Sequence, residues 1–200
     1  MNTLRYLCLL FIFFVGNLNQ SFAETFTFKN AGFAFEAPDG WHIGSQQGIE
    51  ALIKDKSFGS DVLNKAVKQG VGRLLIITQN PINQTVGVNP GIFVDRHPGR
   101  VVDINAGLQN IRKFMIQNMN GWNQVGNFKF QKVGEFESGL IQYSYEVLQP
   151  QKPKLEVVEM LWLIPQDNHY ITISSGFSPE DRNKIEPIIT NSVSTLRKLN

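Results

Sequence analysis

The feature that most constrains this chain is a series of strand patterns in its second half with no helical pattern between them. Apolar or aromatic residues occupy every second position in one stretch: Ile141, Tyr143, Tyr145 and Val147. This is the period of a strand with one buried face. An almost wholly apolar run from Val157 to Ile164 follows, and then an Ile- and Thr-rich run from Tyr170 to Ser174. Successive strands joined by short connections pair antiparallel, so we expect an antiparallel sheet.

The first half of the chain contributes further strands. Thr25 to Phe28 and Phe33 to Ala37 alternate aromatic and other residues on either side of turn residues, which predicts a β-hairpin. Arg73 to Thr78 contains four consecutive aliphatic residues, the pattern of a strand covered on both faces. The total is about six strands.

Two segments change from strand period to helix period. One series of apolar residues recurs at spacings of three and four: Ile104, Leu108, Ile111, Met115 and Met119. This spacing predicts a helix that begins near an N-cap at Asp103. Ser178 and Pro179 predict the start of a terminal helix, in which Pro187 is expected to cause a kink or to split the helix in two. The predicted fold class is therefore α+β, an antiparallel sheet of about six strands between helices, as an α/β/α sandwich.

Residues 1–23 have the pattern of a signal peptide. Arg5 precedes an apolar run from Tyr6 to Val15, and Ser21 and Ala23 supply the small residues required at a cleavage site. Residues 24–200 are then one domain, exported to a periplasm or to the extracellular space. The apolar run has about half of the ~20 residues that a membrane span needs, so we expect no stable membrane insertion after cleavage.

The charge of the predicted mature chain excludes some partner classes. The leader holds one of the 19 Lys and Arg, which leaves 18 against 17 Asp and Glu, a formal charge of +1. These charges are interspersed, so neither nucleic acid nor an anionic membrane surface is an expected partner. The only cysteine, Cys8, lies in the leader, so the mature domain has no thiol for catalysis or metal binding. No phosphate-binding loop or dinucleotide fingerprint occurs, and no cofactor is predicted.

Candidate chemistry is confined to one group of residues. Asp95 and His97 are two positions apart, so on an extended backbone both side chains point to one side, and Asp103 lies near enough in sequence to approach them. A carboxylate and an imidazole can begin a metal site or an acid/base pair. The alternative is a polar loop in which Asp95, Arg96 and His97 are simply solvated or paired.

The order of elements resembles the PsbP-like superfamily. The resemblance rests on the hairpin from Phe26 to Ala37, on Pro38-Asp39-Gly40-Trp41 directly after it, on the strand at Gly139-Leu140-Ile141-Gln142-Tyr143, and on a terminal helix with Asn191-Ser192-Val193. That superfamily includes extrinsic subunits of the oxygen-evolving photosystem, a Ran-binding nuclear import factor and many exported bacterial proteins. The resemblance implies a sheet between helical layers and a non-catalytic binding or assembly role.

The expected function is therefore non-enzymatic binding or assembly in the cell envelope or outside the cell. Three prolines and three glycines lie between Gln79 and Arg100, where only Ile92-Phe93-Val94 looks extended. This predicts a long loop that contacts a protein partner. Two alternatives stay open. One is a metal-dependent or acid/base enzyme centred on Asp95, His97 and Asp103. The other is a carrier of a small apolar ligand held between sheet and helix.

Overall fold

The computed structural model describes residues 23–44, 72–81, 87–148 and 153–199. The predicted leader lies outside these residues except for Ala23. The strands and α-helices, in chain order, are β1 (Thr25–Phe28), β2 (Phe33–Glu36), β3 (His42–Ile43), β4 (Gly72–Thr78), β5 (Gly91–Pro98), α1 (Ile104–Asn118), β6 (Asn123–Gln124), β7 (Lys129–Val133), β8 (Phe136–Val147), β9 (Leu155–Pro165), β10 (His169–Phe177), α2 (Arg182–Ser194) and β11 (Arg197–Lys198).

Eight strands form one large antiparallel sheet. Seven follow the order β3-β4-β5-β10-β9-β8-β6. The eighth, β7, also pairs with β8, but at residues 136–140 of that strand, whereas β6 pairs with Tyr143 and Ser144. The three longest strands, β8, β9 and β10, are consecutive in the chain and adjacent in the sheet, with registers that place Ile141 opposite Leu161 and Ile173 opposite Trp162. The prediction of antiparallel pairing in the second half of the chain is confirmed.

A small sheet joins the two ends of the domain. It has the order β1-β2-β11, so that β2 pairs with the predicted N-terminal hairpin strand on one side and with the last strand of the chain on the other. The backbone N–H of Glu36 donates to Thr195 Oγ1 at 2.8 Å, and Ser192 donates its hydroxyl to the Glu36 carbonyl. These bonds attach the end of α2 to β2.

Each face of the large sheet packs against a different layer. One face contacts the small sheet and α2, and residues such as Phe35, Trp162 and Ile189 form the first core there. The opposite face contacts α1, where Leu108, Met115, Ile141, Leu161 and Leu163 form the second core. Because side chains alternate along a strand, the neighbours Leu161 and Trp162 are both buried, in different cores.

Both predicted helices begin where their capping residues indicate. The Asp103 carboxylate accepts hydrogen bonds from the backbone of Asn105 and Ala106, at 2.8 and 3.3 Å, and caps α1. Ser178 Oγ accepts from the Asp181 N–H and caps a 3₁₀ turn, Pro179–Asp181, which leads into α2. None of the described helices is long and apolar enough to cross a membrane.

The prediction of an α/β/α sandwich with about six strands is wrong. The described residues form 11 strands in two antiparallel sheets, with only two α-helices. The sequence patterns missed the short edge strands β3, β6 and β11, each of two residues, which are too short to show any period. One layer that was expected to be helical is instead shared between α2 and the small sheet.

The prediction of a single loop from Gln79 to Arg100 is also wrong in its second half. Gly91–Pro98 is β5, which lies in the large sheet between β4 and β10. Ile92 and Val94 are fully buried in the first core. The prolines and glycines around this strand indicate a loop, but Pro98 stands at the strand end, where proline is tolerated.

Candidate functional site

A polar cluster lies on the face of the large sheet that also carries α1, on strands that contribute few side chains to the second core. We define the β4–β5–β10 cluster as Arg73, Asp95, His97, Tyr170 and Thr172. The register places Arg73 opposite Asp95, Asp95 opposite Thr172, and His97 opposite Tyr170. The five side chains therefore come from three adjacent strands and share one face of the sheet.

Arg73 and Asp95 form a bidentate ion pair at the centre of the cluster. Arg73 Nε donates to Asp95 Oδ1 at 2.6 Å and Nη2 donates to Oδ2 at 2.7 Å. The two side chains are only 19% and 13% exposed. The guanidinium also lies 5.0 Å from the centre of the Phe93 ring. Both carboxylate oxygens of Asp95 are thus engaged, in the geometry that makes arginine–carboxylate pairs strong.

His97 is held by two contacts from β10. Its Nε2 lies 2.8 Å from Thr172 Oγ1, and its ring stacks on Tyr170 with centroids 4.5 Å apart and planes 3° from parallel. Burial lowers the pKa of His97, Asp95 acts against that change, and Arg73 adds to it. The imidazole is therefore favoured in its neutral form, in which one ring nitrogen donates and the other accepts.

A second group of polar side chains, centred on Glu159, lies on β8, β9 and β10, on the same face of the sheet as the cluster. Glu159 lies opposite Tyr143 in the β8–β9 register. Burial raises the pKa of Glu159, while the hydroxyls of Tyr143, Ser174 and Tyr145 and the charge of Arg73 act against the rise. Burial and the nearby carboxylate raise the pKa of both tyrosines well above the usual range. Among the described residues, the Tyr143 hydroxyl has no hydrogen bond of ordinary geometry, although it faces this carboxyl.

The structure brings two of the three predicted metal-site residues to one face of β5, as their spacing required. Asp95 and His97 both lie in the cluster, where Arg73 and Thr172 are their partners. Asp103 caps α1 through its side chain. Within the described ranges, no three His, Cys, Asp and Glu side chains form a group that could hold a metal ion.

Hydrogen bonds hold together the two ends of the connection between β4 and β5. Gln79 N–H donates to the Pro90 carbonyl at 2.8 Å. Asn80 N–H donates to Asn89 Oδ1 at 3.1 Å, and Asn89 Nδ2 donates back to the Asn80 carbonyl at 2.8 Å. These bonds hold Gln79 and Asn80, after β4, against Asn89 and Pro90, before β5.

The first core is closely packed at the crevice between the two sheets. This crevice is lined by Phe33, Phe136, Ile164, Gln166, Ile171 and Leu196. It has no room for a water molecule. The alternative of a small apolar ligand held between sheet and helix concerns a different place and stays a prediction.

Sequence reasoning missed most members of the site. Arg73 and Thr172 stand in strand patterns that carry no chemical signal, and Tyr143 and Tyr145 have the alternating spacing of a strand with one buried face. One signal was available. Glu159 is an acidic residue inside the almost wholly apolar run from Val157 to Ile164, and a buried carboxyl in such a strand indicates a special environment.

No family model and no curated protein matches the sequence. Solved structures do match its fold. Cyanobacterial PsbP from Synechocystis superposes with a TM-score of 0.54 at 11% identity, over 92% of this chain and 96% of that chain. Mycobacterium tuberculosis LpqN, described as involved in cell envelope biogenesis, gives 0.50 at 12% identity, over 92% and 87%.

A Pseudomonas aeruginosa protein of unknown function is similar to the same degree, with a TM-score of 0.51 at 11% identity over 90% of this chain and 99% of that chain. At these identities the likeness concerns the fold alone. The chain therefore has a PsbP-like fold, as the resemblance predicted, although the layers differ from the expected sandwich.

Proposed function

We propose that this chain is an exported, non-enzymatic protein that binds or helps to assemble another component of the cell envelope or extracellular space. The pattern of residues 1–23 supports export. The likeness to cyanobacterial PsbP and to LpqN is compatible with a binding or assembly role. Cleavage is proposed to occur before Glu24, and the mature protein to lack any membrane anchor.

The observation that carries this proposal is the internal pairing of the β4–β5–β10 cluster. A catalytic acid, base or nucleophile must be free to contact a substrate. Here Arg73 occupies both oxygens of Asp95, while Thr172 and Tyr170 hold the His97 ring. Polar groups fixed in this way hold three strands rigidly together, and a rigid scaffold suits recognition because little conformational freedom is lost on binding.

The proposed recognition surface is the connection between β4 and β5, because loops on a rigid scaffold often carry recognition. Replacing residues 82–86 with a Gly/Ser segment of equal length, while keeping Asn80 and Asn89, should abolish capture of the partner from an envelope extract. The same exchange at residues 149–152 is the control and should leave capture intact. Equal capture by both variants would exclude residues 82–86 from the surface.

An acid/base enzyme is the second candidate, because one contact favours it. His97 Nε2 and Thr172 Oγ1 are 2.8 Å apart, the distance at which a general base activates a hydroxyl. Asp95 does not complete a triad here, since its oxygens accept from Arg73. In the metal-dependent version, the protein purified without chelator should carry one equivalent of metal that His97→Ala removes. We expect neither that metal nor hydrolytic activity lost in Thr172→Ala.

A further inference from the structure

Strand β7 forms an outer edge of the large sheet. It pairs with β8 on one side, from Lys129 opposite Leu140 to Val133 opposite Phe136. Among the described strands, none pairs with its other side. The first four of its five residues are exposed. An unpaired edge presents backbone N–H and C=O groups that can bind a further strand from another chain.

The charged residues of β7 itself are both lysines, Lys129 and Lys132. Two acidic residues, Glu135 and Glu137, follow in the turn and in β8. Within the described part of the chain, Lys129 has no ion-pair partner. Lys132 lies 3.5 Å from Glu137, but these side chains are 71% and 68% exposed, so the pair is weak. Lys129 is therefore available to an acidic partner, and Lys132 is held only by this weak pair.

An exposed aromatic side chain lies in the middle of the edge. Phe130 is 57% exposed and lies opposite Gly139 in the β7–β8 register. A Cβ at Gly139 would lie 2.5 Å from Ile104 and 2.7 Å from Leu108, so the first turns of α1 pack directly on this glycine. Phe130 thus borders the apolar surface of α1. A strand added beside β7 would place one side chain against Phe130 and bury it.

We propose that β7 is a docking edge for an extended, acidic segment of a partner polypeptide. This inference names a surface and a partner class for the binding role proposed above, and so rests on that proposal. A second copy of this chain is a poor occupant, because its β7 carries no acidic residue and would give Lys129 no counter-charge. A polyanion without a peptide backbone would use the lysines but leave the strand edge unpaired.

The register defines the side-chain pattern of the partner. Lys129 and Gln131 point to one face of the sheet, and Phe130 and Lys132 point to the other. A strand with acidic residues on the first face and aliphatic residues on the second would meet Lys129 with a carboxylate and Phe130 with an apolar side chain. A peptide in which glutamate and valine alternate has this pattern.

The test measures binding of that fluorescent Glu/Val peptide to the exported protein by anisotropy. Lys129→Glu and Phe130→Ser should each weaken binding by roughly tenfold, because each removes one of the two contacts that select the peptide. Lys113→Glu and Ile116→Ser are the controls. They change an exposed lysine and a 50% exposed isoleucine on α1, away from the edge, and should leave binding within about twofold.

Hydrogen exchange gives the second measurement, since amides of residues 129–133 should gain protection when the peptide binds. Unchanged affinity in Lys129→Glu and Phe130→Ser, or equal binding of a Lys/Val peptide, would overturn the edge proposal. Equal retention on phosphatidylglycerol vesicles with the same dependence on Lys129 would overturn it as well. None of these results contradicts the general binding role. That role would be contradicted if the natively purified protein had no polypeptide partner.

Discussion

Arg73 on β4 and Asp95 on β5 face each other across the sheet and share two hydrogen bonds of 2.6 and 2.7 Å. The pair links the fold to the proposed function. It fixes the register between two strands, and it also removes the only carboxylate that adjoins His97 on β5 from acid/base chemistry. The energetic consequence can be measured by removing one partner at a time.

Asp95→Asn should destabilise the domain by about 2 kcal/mol, because it leaves the largely buried Arg73 guanidinium without its counter-charge. Arg73→Lys should cost less, since the ammonium keeps the charge but cannot form two parallel bonds. The exposed Lys132–Glu137 pair provides the control, and Lys132→Ala should change stability by less than about 0.5 kcal/mol. Equal losses in Asp95→Asn and Lys132→Ala upon urea unfolding would show that the buried pair has no special role.

Gly139→Ala should destabilise the domain by roughly 1 to 3 kcal/mol. The added methyl group would overlap Ile104 and Leu108, and Leu108 is fully buried, so α1 would have to move away from the sheet. Gly72→Ala is the matched control, because nothing lies within 4 Å of the position that its Cβ would take. A Gly139→Ala protein as stable as Gly72→Ala would mean that α1 does not pack where it is described.

Trp162→Ala should cost about 3 to 5 kcal/mol and Leu161→Ala about 2 to 5 kcal/mol, since each removes a buried side chain and leaves a cavity. Trp162 points into the first core and Leu161 into the second, so the two losses should be nearly additive. Thermal unfolding of the single and double variants measures this. Midpoints within a degree of the parent protein would contradict the two-core arrangement around β9.

Stability should fall as the pH is lowered from 7 through 6.5, in part because of His169. Burial lowers the pKa of His169 below its usual 6.5 and Arg96 adds to this, while the Ala31 backbone and Asp167 act the other way. The unfolded chain therefore binds the proton first as the pH falls, and the folded state loses stability until the pH reaches the lowered value. His97 adds to this loss of stability as the pH falls, because its pKa is also lowered.

Glu159 should change the pH dependence of folding stability in the opposite direction to the two histidines. Its raised pKa means that the folded state holds a proton which the unfolded chain releases above 4.5, so neutral pH costs stability at this residue. His169→Asn should reduce the loss of stability between pH 7 and pH 5.5, and Glu159→Gln should increase it. Urea midpoints at the two pH values decide this. A Glu159→Gln variant with a smaller loss than the parent protein would contradict the assignment.

The sequence predicted the elements whose signals are local. The alternation around Tyr143, the helical spacing after Asp103 and the Ser178-Pro179 helix start all correspond to elements in the structure. It did not predict β5, because its flanking prolines and glycines conceal the inward pair Ile92 and Val94. Strands of two residues, such as Arg197–Lys198, form only because β2 is already in place to pair with them.

The candidate site was only partly predictable, for a different reason. Asp95 and His97 share one strand, so their common direction follows from the period of two. Arg73 and Thr172 reach them through strand pairing, over separations of 22 and 75 residues along the chain. Pairing over such distances depends on sheet order, which local patterns do not contain. The placement of Asp103 at the cap of α1 follows from its own helix signal.

The processing of the leader can be tested separately from the fold. The three-part pattern of residues 1–23 predicts that the exported protein begins at Glu24. Amino-terminal sequencing of the protein recovered from the periplasm or medium measures this. A recovered species that retains Met1, or that carries acyl chains on Cys8, would show that residues 1–23 are not a signal peptide cleaved before Glu24.

Native mass spectrometry of the protein, isolated from its own source under mild conditions without chelator, tests the central claim most directly. One spectrum reports both bound polypeptide and bound metal. The account predicts a complex with a polypeptide partner and a mass that leaves no metal to be assigned to this chain. A monomer that carries one equivalent of metal, lost in His97→Ala, would contradict the binding role and establish the metal-dependent alternative.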